Sequence, residues 1–222
     1  MDGQKDEHPL LRHFPEEDRR DLDRIIVIRP NSGESYFERL FAAAGLTIPA
    51  VLDVWQDTVD GWLDSYSASF AHHRLLEIFL ETSVFWYDRD ATHDRVVVAY
   101  GLSAPIVGPR DAGRMRRFPD ANNSARSVMP DVAAKYDRGH FLSHASGGPM
   151  DINLFPQLTE LNRGWSDAGR RFRSMERAVV SRPGTFHYHR AEYSDDSWIP
   201  DTLEYGVLRE DSTWWIDQFR NR

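Results

Sequence analysis

With 222 residues, 41% apolar side chains, 12% aromatics and seven tryptophans, the chain can bury a substantial core and is not a disordered segment. It contains no cysteine, which excludes a disulfide scaffold, thiolate-bound zinc and a thiol nucleophile. The net charge is −8 and no apolar run reaches 18 residues, so no transmembrane helix is expected.

The opening MDGQKDEHPLLRHF is acidic and polar, with neither the basic nor the apolar region of a secretory signal. The expectation is a cytoplasmic protein by default, with export by a specialised route left open. Pro15-Glu16-Glu17-Asp18 reads as a helix entry, followed by Leu22, Ile25, Ile26 and Ile28 and stopped at Pro30. Tyr36, Leu40, Phe41 and Ala44 recur at helical spacing before Gly45. Leu52, Trp55, Val59, Trp62, Leu63 and Tyr66 form a second stripe. Leu75, Leu76, Phe79, Leu80 and Phe85 read as a third.

From Arg95 the period changes. Arg95–Tyr100 is short and β-branched, a strand. Residues 101–135 read as long loops. Phe141–Leu142 and Ile152–Phe155 read as short strands flanking the Gly147-Gly148-Pro149 turn, and Thr159–Val180 as a helix weakened by Gly164 and Gly169. Thr185–Tyr193, Leu203–Arg209 and Thr213–Phe219 read as antiparallel strands.

Charge is unevenly distributed. Residues 101–190 carry 14 basic and 8 acidic side chains, whereas residues 1–100 carry 10 and 19. Nearly all the bases are arginine, a bias that a GC-rich bacterial genome produces. The basic segment holds the densest cluster of chemistry-bearing residues, Asp137-Arg138-Gly139-His140, and 22 residues beyond His140 stands Asn162. Hydrolysis of a phosphodiester needs a base for the attacking water, charge compensation on the phosphate and help for the leaving oxygen. Imidazole suits the first task, guanidinium the second, and an amide oxygen can hold a hard cation for the third. Arg170, Arg173 and Arg177 could track a nucleic-acid backbone, the bland alternative being a solvated helix face. His140 and His144, at i and i+4, would suit zinc on a helix, but the neighbouring Gly-Gly turn favours a strand. His72-His73 and His187/His189 read as structural.

Three motifs in order, DRGH (Asp137–His140), NLFPQ (Asn153–Gln157) and LNRG (Leu161–Gly164), resemble the DNA/RNA non-specific endonucleases of the ββα-metal, or His-Me finger, class. The resemblance spans roughly residues 95–208. It implies a ββα-metal nuclease core with an antiparallel sheet over residues 95–222 of an α+β fold; residues 1–94 lie outside it and read, from their stripes, as a mainly helical region of unknown role. It further implies His140 as general base, Arg138 as phosphate clamp and Asn162 as ligand of Mg²⁺, or of Mn²⁺ in its place. Asp137, Asn153 and Gln157 would support these groups from behind. The family usually sets a glutamate on the helix soon after the metal asparagine. The nearest here is Glu176, 14 residues on, which is about 21 Å in an unbroken helix. Glu176 is therefore a catalytic candidate only if Gly164 and Gly169 break the helix.

The expected activity is metal-dependent endonucleolytic hydrolysis of DNA, with RNA as a second substrate. Two alternatives remain. One is a catalytically silent nuclease-fold binding protein that uses its acidic N-terminal part for docking. The other is a bacterial toxin effector controlled by an inhibitory immunity partner.

Overall fold

Seven antiparallel strands form one sheet, and each of its faces is covered by a different set of elements. The computed structural model describes residues 27–28, 35–80, 82–88, 91, 95–106, 135–149 and 152–222. In chain order the elements are β1 (Val27–Ile28), α1 (Tyr36–Ala44), α2 (Trp55–Ser69), β2 (Leu75–Leu80), β3 (Ser83–Asp88), β4 (Arg95–Leu102), β5 (Tyr136–His140), β6 (Leu154–Leu158), α3 (Thr159–Asn162), α4 (Asp167–Ser181), β7 (Phe186–Glu192), β8 (Thr202–Leu208) and β9 (Trp214–Arg220). The large sheet runs β1-β2-β3-β4-β7-β8-β9, and β5 pairs with β6 alone. The fold is α+β. No helix among the described residues is long and apolar enough to cross a membrane.

The first two stripes are helices, as their spacing predicts. Ser35 caps α1 by accepting from the Phe37 N–H at 3.2 Å, and Gly45, at φ 65°, ends it. α2 buries Trp55, Val59, Leu63 and Tyr66 along one face. The expected helix entered at Pro15 lies outside the described residues, except for its last two positions. Val27 and Ile28 form β1, paired with Phe79 and Ile78.

The third stripe is not a helix. Leu75–Leu80 and Ser83–Asp88 are the two arms of a β-hairpin in which Leu80 opposes Ser83. Both runs are short and rich in Ile, Phe, Val, Trp and Tyr, which favour a pleated surface. In so apolar a stretch, helical spacing arises without a helix. β3 pairs in turn with β4, where Val97 is the extra residue of a bulge between the Trp86↔Val98 and Tyr87↔Val96 pairs. The ladder thus joins residues 75–88 directly to the strand that opens the expected 95–222 segment.

The hairpin expected around the Gly-Gly-Pro turn forms, but it is displaced. β5 is Tyr136–His140 and so contains the tetrad itself, while Phe141 and Leu142 lie just past its end. Within the strand stands Gly139. A Cβ there would fall 2.4 Å from Gln157 Oε1 and 2.5 Å from Gln157 Cβ, so only glycine lets the buried Gln157 side chain lie across β5.

The single helix expected over Thr159–Val180 is two. Gly164, at φ 74°, turns the chain after α3. Ser166 then caps α4 by accepting from the Gly169 N–H at 3.0 Å. The helices meet closely, because a Cβ on Gly169 would lie 2.3 Å from the Glu160 carbonyl oxygen and 2.9 Å from Gly164 Cα.

Each face of the sheet carries its own core. α1 and α2 pack on one face against Val84, Val98, Tyr100, Phe186 and Tyr188, with the Trp55 ring 4.9 Å from Phe186 and 5.3 Å from Tyr100. The β5–β6 hairpin, α3 and α4 cover the other face. There Phe141, Phe155, Leu161, Phe172, Met175 and Val179 meet Ile78, Phe85, Ala99, Tyr205 and Phe219. Burial of Phe172, Met175 and Val179 gives α4 about 1.5–3 kcal/mol per side chain.

His73 is structural, as the sequence suggests. Its Nδ1 lies 2.7 Å from Oδ2 of the fully buried Asp88, which also accepts from the Tyr66 hydroxyl and the Ala91 N–H and faces Arg95. This cluster ties α2 to the β3–β4 edge.

Candidate functional site

Asp137, on β5, is the hub of the site. Its Oδ2 accepts from Asn162 Nδ2 at 3.2 Å, and Arg163 grips the same carboxylate with both prongs, Nε to Oδ2 at 2.7 Å and Nη2 to Oδ1 at 2.8 Å. Burial opposes ionisation of Asp137, but the bonds from Arg163 and Asn162, the Arg163 charge and a bond from Thr159 outweigh it. The carboxyl therefore titrates below its ordinary value. An ionised Asp137 accepts only, so it holds the amide of Asn162 by its nitrogen and does not engage the amide oxygen.

The break at Gly164 brings α4 back across α3. Arg173 Nη1 donates to the Asn162 carbonyl oxygen at 3.3 Å, and its Nε lies 3.7 Å from Glu176 Oε2. Glu176 is thereby linked to Asn162 through one arginine, instead of standing a full helix length away. The structure so gathers Asp137, Asn162, Arg163, Arg173 and Glu176 into one chain of contacts.

Arg138 and His140 stand farther along β5, opposite Pro156 and Leu154, and both are half-buried. His140 is three residues past Asp137, a rise of about 10 Å. The backbone immediately after it is braced by the fully buried Asn153. Asn153 Nδ2 donates to the carbonyls of Leu142 (2.6 Å) and Pro149 (2.7 Å), its Oδ1 accepts from the Leu142 N–H (2.7 Å), and its own carbonyl accepts from Phe141 (2.9 Å). These four bonds fix where β5 ends and hence where His140 sits. Gln157, across from Asp137, is buried over Gly139, and its Nε2 has no hydrogen-bond partner among the described residues.

Arg170, Arg173 and Arg177 lie at i, i+3 and i+7 on an exposed face of α4. Arg170 pairs with Asp167, Arg173 with Glu176, and Arg177 donates to Ser174 Oγ. Exposed pairs of this kind are held by about 0–1 kcal/mol and can be exchanged for another anion.

No family model matches the chain. No curated protein matches it either. Among solved structures, "Structure of Sda1 nuclease with bound zinc ion" is similar over 63% of this chain and 75% of that one, at 12% identity and a TM-score of 0.44. Likeness at that level transfers neither residues nor activity, so the functional reading rests on the site itself.

Among the described residues, no three His, Cys, Asp or Glu side chains gather as a metal cage. The donors present are instead those that a hard, water-retaining cation accepts: one oriented amide oxygen beside an acid already engaged by arginine. His140 and His144, on a strand and on a 3₁₀ turn, do not form the i, i+4 helical pair that zinc would use. Two residues escaped the sequence reading. Arg163 stands inside the LNRG motif but was assigned no role, and Trp165, three residues after Asn162, had no periodic signal to mark it.

Proposed function

We propose that the protein is a metal-dependent, sequence-non-specific endonuclease acting on DNA and also on RNA. The observation that carries this reading is the bond from Asn162 Nδ2 to Asp137, which ties the amide on α3 to the strand that also bears Arg138 and His140. His140 takes the proton from the attacking water, and Arg138 binds the non-bridging phosphate oxygens. Asn162 holds Mg²⁺, or Mn²⁺ in its place. Such an ion, when bound, offsets the charge developing on the leaving 3′-oxygen. Asp137 keeps the Asn162 amide from rotating, Asn153 fixes the turn after His140, and Gln157 packs the hairpin beneath them. Glu176 pairs with Arg173, which donates to the Asn162 carbonyl, and so would help to position the residue that holds the cation. Arg170, Arg173 and Arg177 track the substrate backbone.

Support comes from the three motifs and from a basic segment in an otherwise acidic chain. Asn162→Ala is expected to raise the Mg²⁺ concentration for half-maximal cleavage at least about tenfold, in line with lost metal-site partners elsewhere. An unchanged Mg²⁺ titration in this variant removes Asn162 from the metal site.

A further inference from the structure

Beside the Asp137 hub lies an open cleft of about 630 Å³ between the start of β5, the α3–α4 turn and the end of β9. Its floor is apolar, built from Tyr136, Leu158 and Ala168. Its lining residues include three bases, Lys135, Arg220 and Arg222, against one acid, Glu160. Arg222 is committed to Asp195 and Asp201. Lys135 and Arg220 have no acidic partner among the described residues, and Arg220 Nε donates to the Arg222 carbonyl.

Trp165 forms one wall and is 63% exposed, the most exposed of the large apolar side chains described. The Arg163 guanidinium lies 5.0 Å from its ring centroid, and the same guanidinium is held flat by the two bonds to Asp137. An exposed aromatic plane, apolar lining residues and two cations without an acidic partner among the described residues suit a ligand that is planar on one side and anionic on the other. A nucleotide of a single strand has both properties. A base within a duplex cannot present its face to a side ring, because stacking and pairing already occupy it.

We propose that this cleft is a subsite for an unpaired nucleotide of the substrate strand, its base stacked on Trp165 and its phosphates beside Lys135 and Arg220. The inference rests on the nuclease reading and narrows it, because it makes single-stranded nucleic acid the preferred substrate. The coupling to the hub is short: Arg163 contacts both the stacking ring and the carboxylate that orients Asn162.

The test is fluorescence anisotropy of a labelled short oligothymidylate in EDTA, so that binding is read without cleavage. The wild type, Trp165→Ala, Trp165→Phe and Lys135→Ala/Arg220→Ala are compared, with a blunt duplex as the second probe. Trp165→Ala is expected to weaken single-strand binding about ten- to hundredfold, with Trp165→Phe retaining most of it and duplex binding unchanged. The double variant is expected to flatten the salt dependence by roughly two ions. Exposure of Trp165 keeps its variants folded, which a thermal melt checks. Equal single-strand binding by Trp165→Ala, or an equal loss for both probes, overturns the subsite. Metal-dependent cleavage of circular single-stranded DNA and of plasmid is measured in parallel. Cleavage with Trp165-independent binding sinks the subsite alone, whereas Trp165-dependent binding without cleavage in the wild type sinks the nuclease reading alone.

Discussion

Replacing His140 by alanine is expected to lower phosphodiester cleavage by about 10²–10⁴-fold, the contribution of a well-placed general base. The fold should be untouched. His140 is half-buried at the end of β5, and that end is fixed by backbone bonds and by Asn153, none of which involves the imidazole. Initial rates on a supercoiled plasmid, with circular-dichroism melts of both proteins, check the two halves together. A variant that melts like the wild type and still cuts at its rate would show that the base lies elsewhere.

The second large effect concerns stability in acid. His187 and His189 point from β7 into the core beneath the hairpin, and both are buried. His189 stacks on Tyr205 at 3.9 Å and lies 5.7 Å from Phe172. Neither of its ring nitrogens, nor His187 Nδ1, has a hydrogen-bond partner among the described residues. Burial brings His187 down to about 3, and burial followed by the neighbouring His187 holds His189 well below the ordinary imidazole value.

Because the folded values are depressed, the unfolded chain binds protons first as pH falls. Stability is complete above the unfolded value near 6.5 and is lost progressively below it, down to the folded values. At pH 5 the loss is about 2 kcal/mol for His187, and His189 adds a loss of the same sign, together a large share of a typical folding free energy. Carboxylates hardly titrate between pH 7 and 5, and comparison with a His189 variant separates this group from the chain's other histidines. Urea unfolding at pH 7, 6 and 5 reads the effect directly, and His189→Phe should flatten the slope by about half. Stability constant across that range would show that the histidines are not buried as neutral rings.

The sequence was most legible where local chemistry decides the outcome. α1 is bounded by a serine cap and a glycine stop, and β7, β8 and β9 start and end within one residue of the three runs read as strands. It was least legible where distant residues decide. Leu75–Phe85 satisfies helical spacing, yet its strands are fixed by partners at Val27, Ile28 and Arg95–Gly101, which no local window contains. The close approach that requires Gly139 is to the side chain of Gln157, 18 residues on, which no local window shows. Gly164 and Gly169 signalled a break, but its geometry depends on two backbones meeting at Glu160.

In the candidate site, the motifs carried Asp137, Asn153, Gln157 and Asn162, and the structure adds how they touch. Trp165 and Arg163 remained silent in the sequence. An isolated aromatic on a turn has no periodicity, and an arginine's partner cannot be read from spacing. The acidity of residues 1–100 fixed neither partner nor role.

The most direct test of the central claim is incubation of plasmid and total RNA with the purified protein, in Mg²⁺ and in EDTA. The account predicts progressive fragmentation of the nucleic acid in Mg²⁺ and none in EDTA. Intact substrates with every divalent cation tried, from a protein shown to be folded, would contradict it.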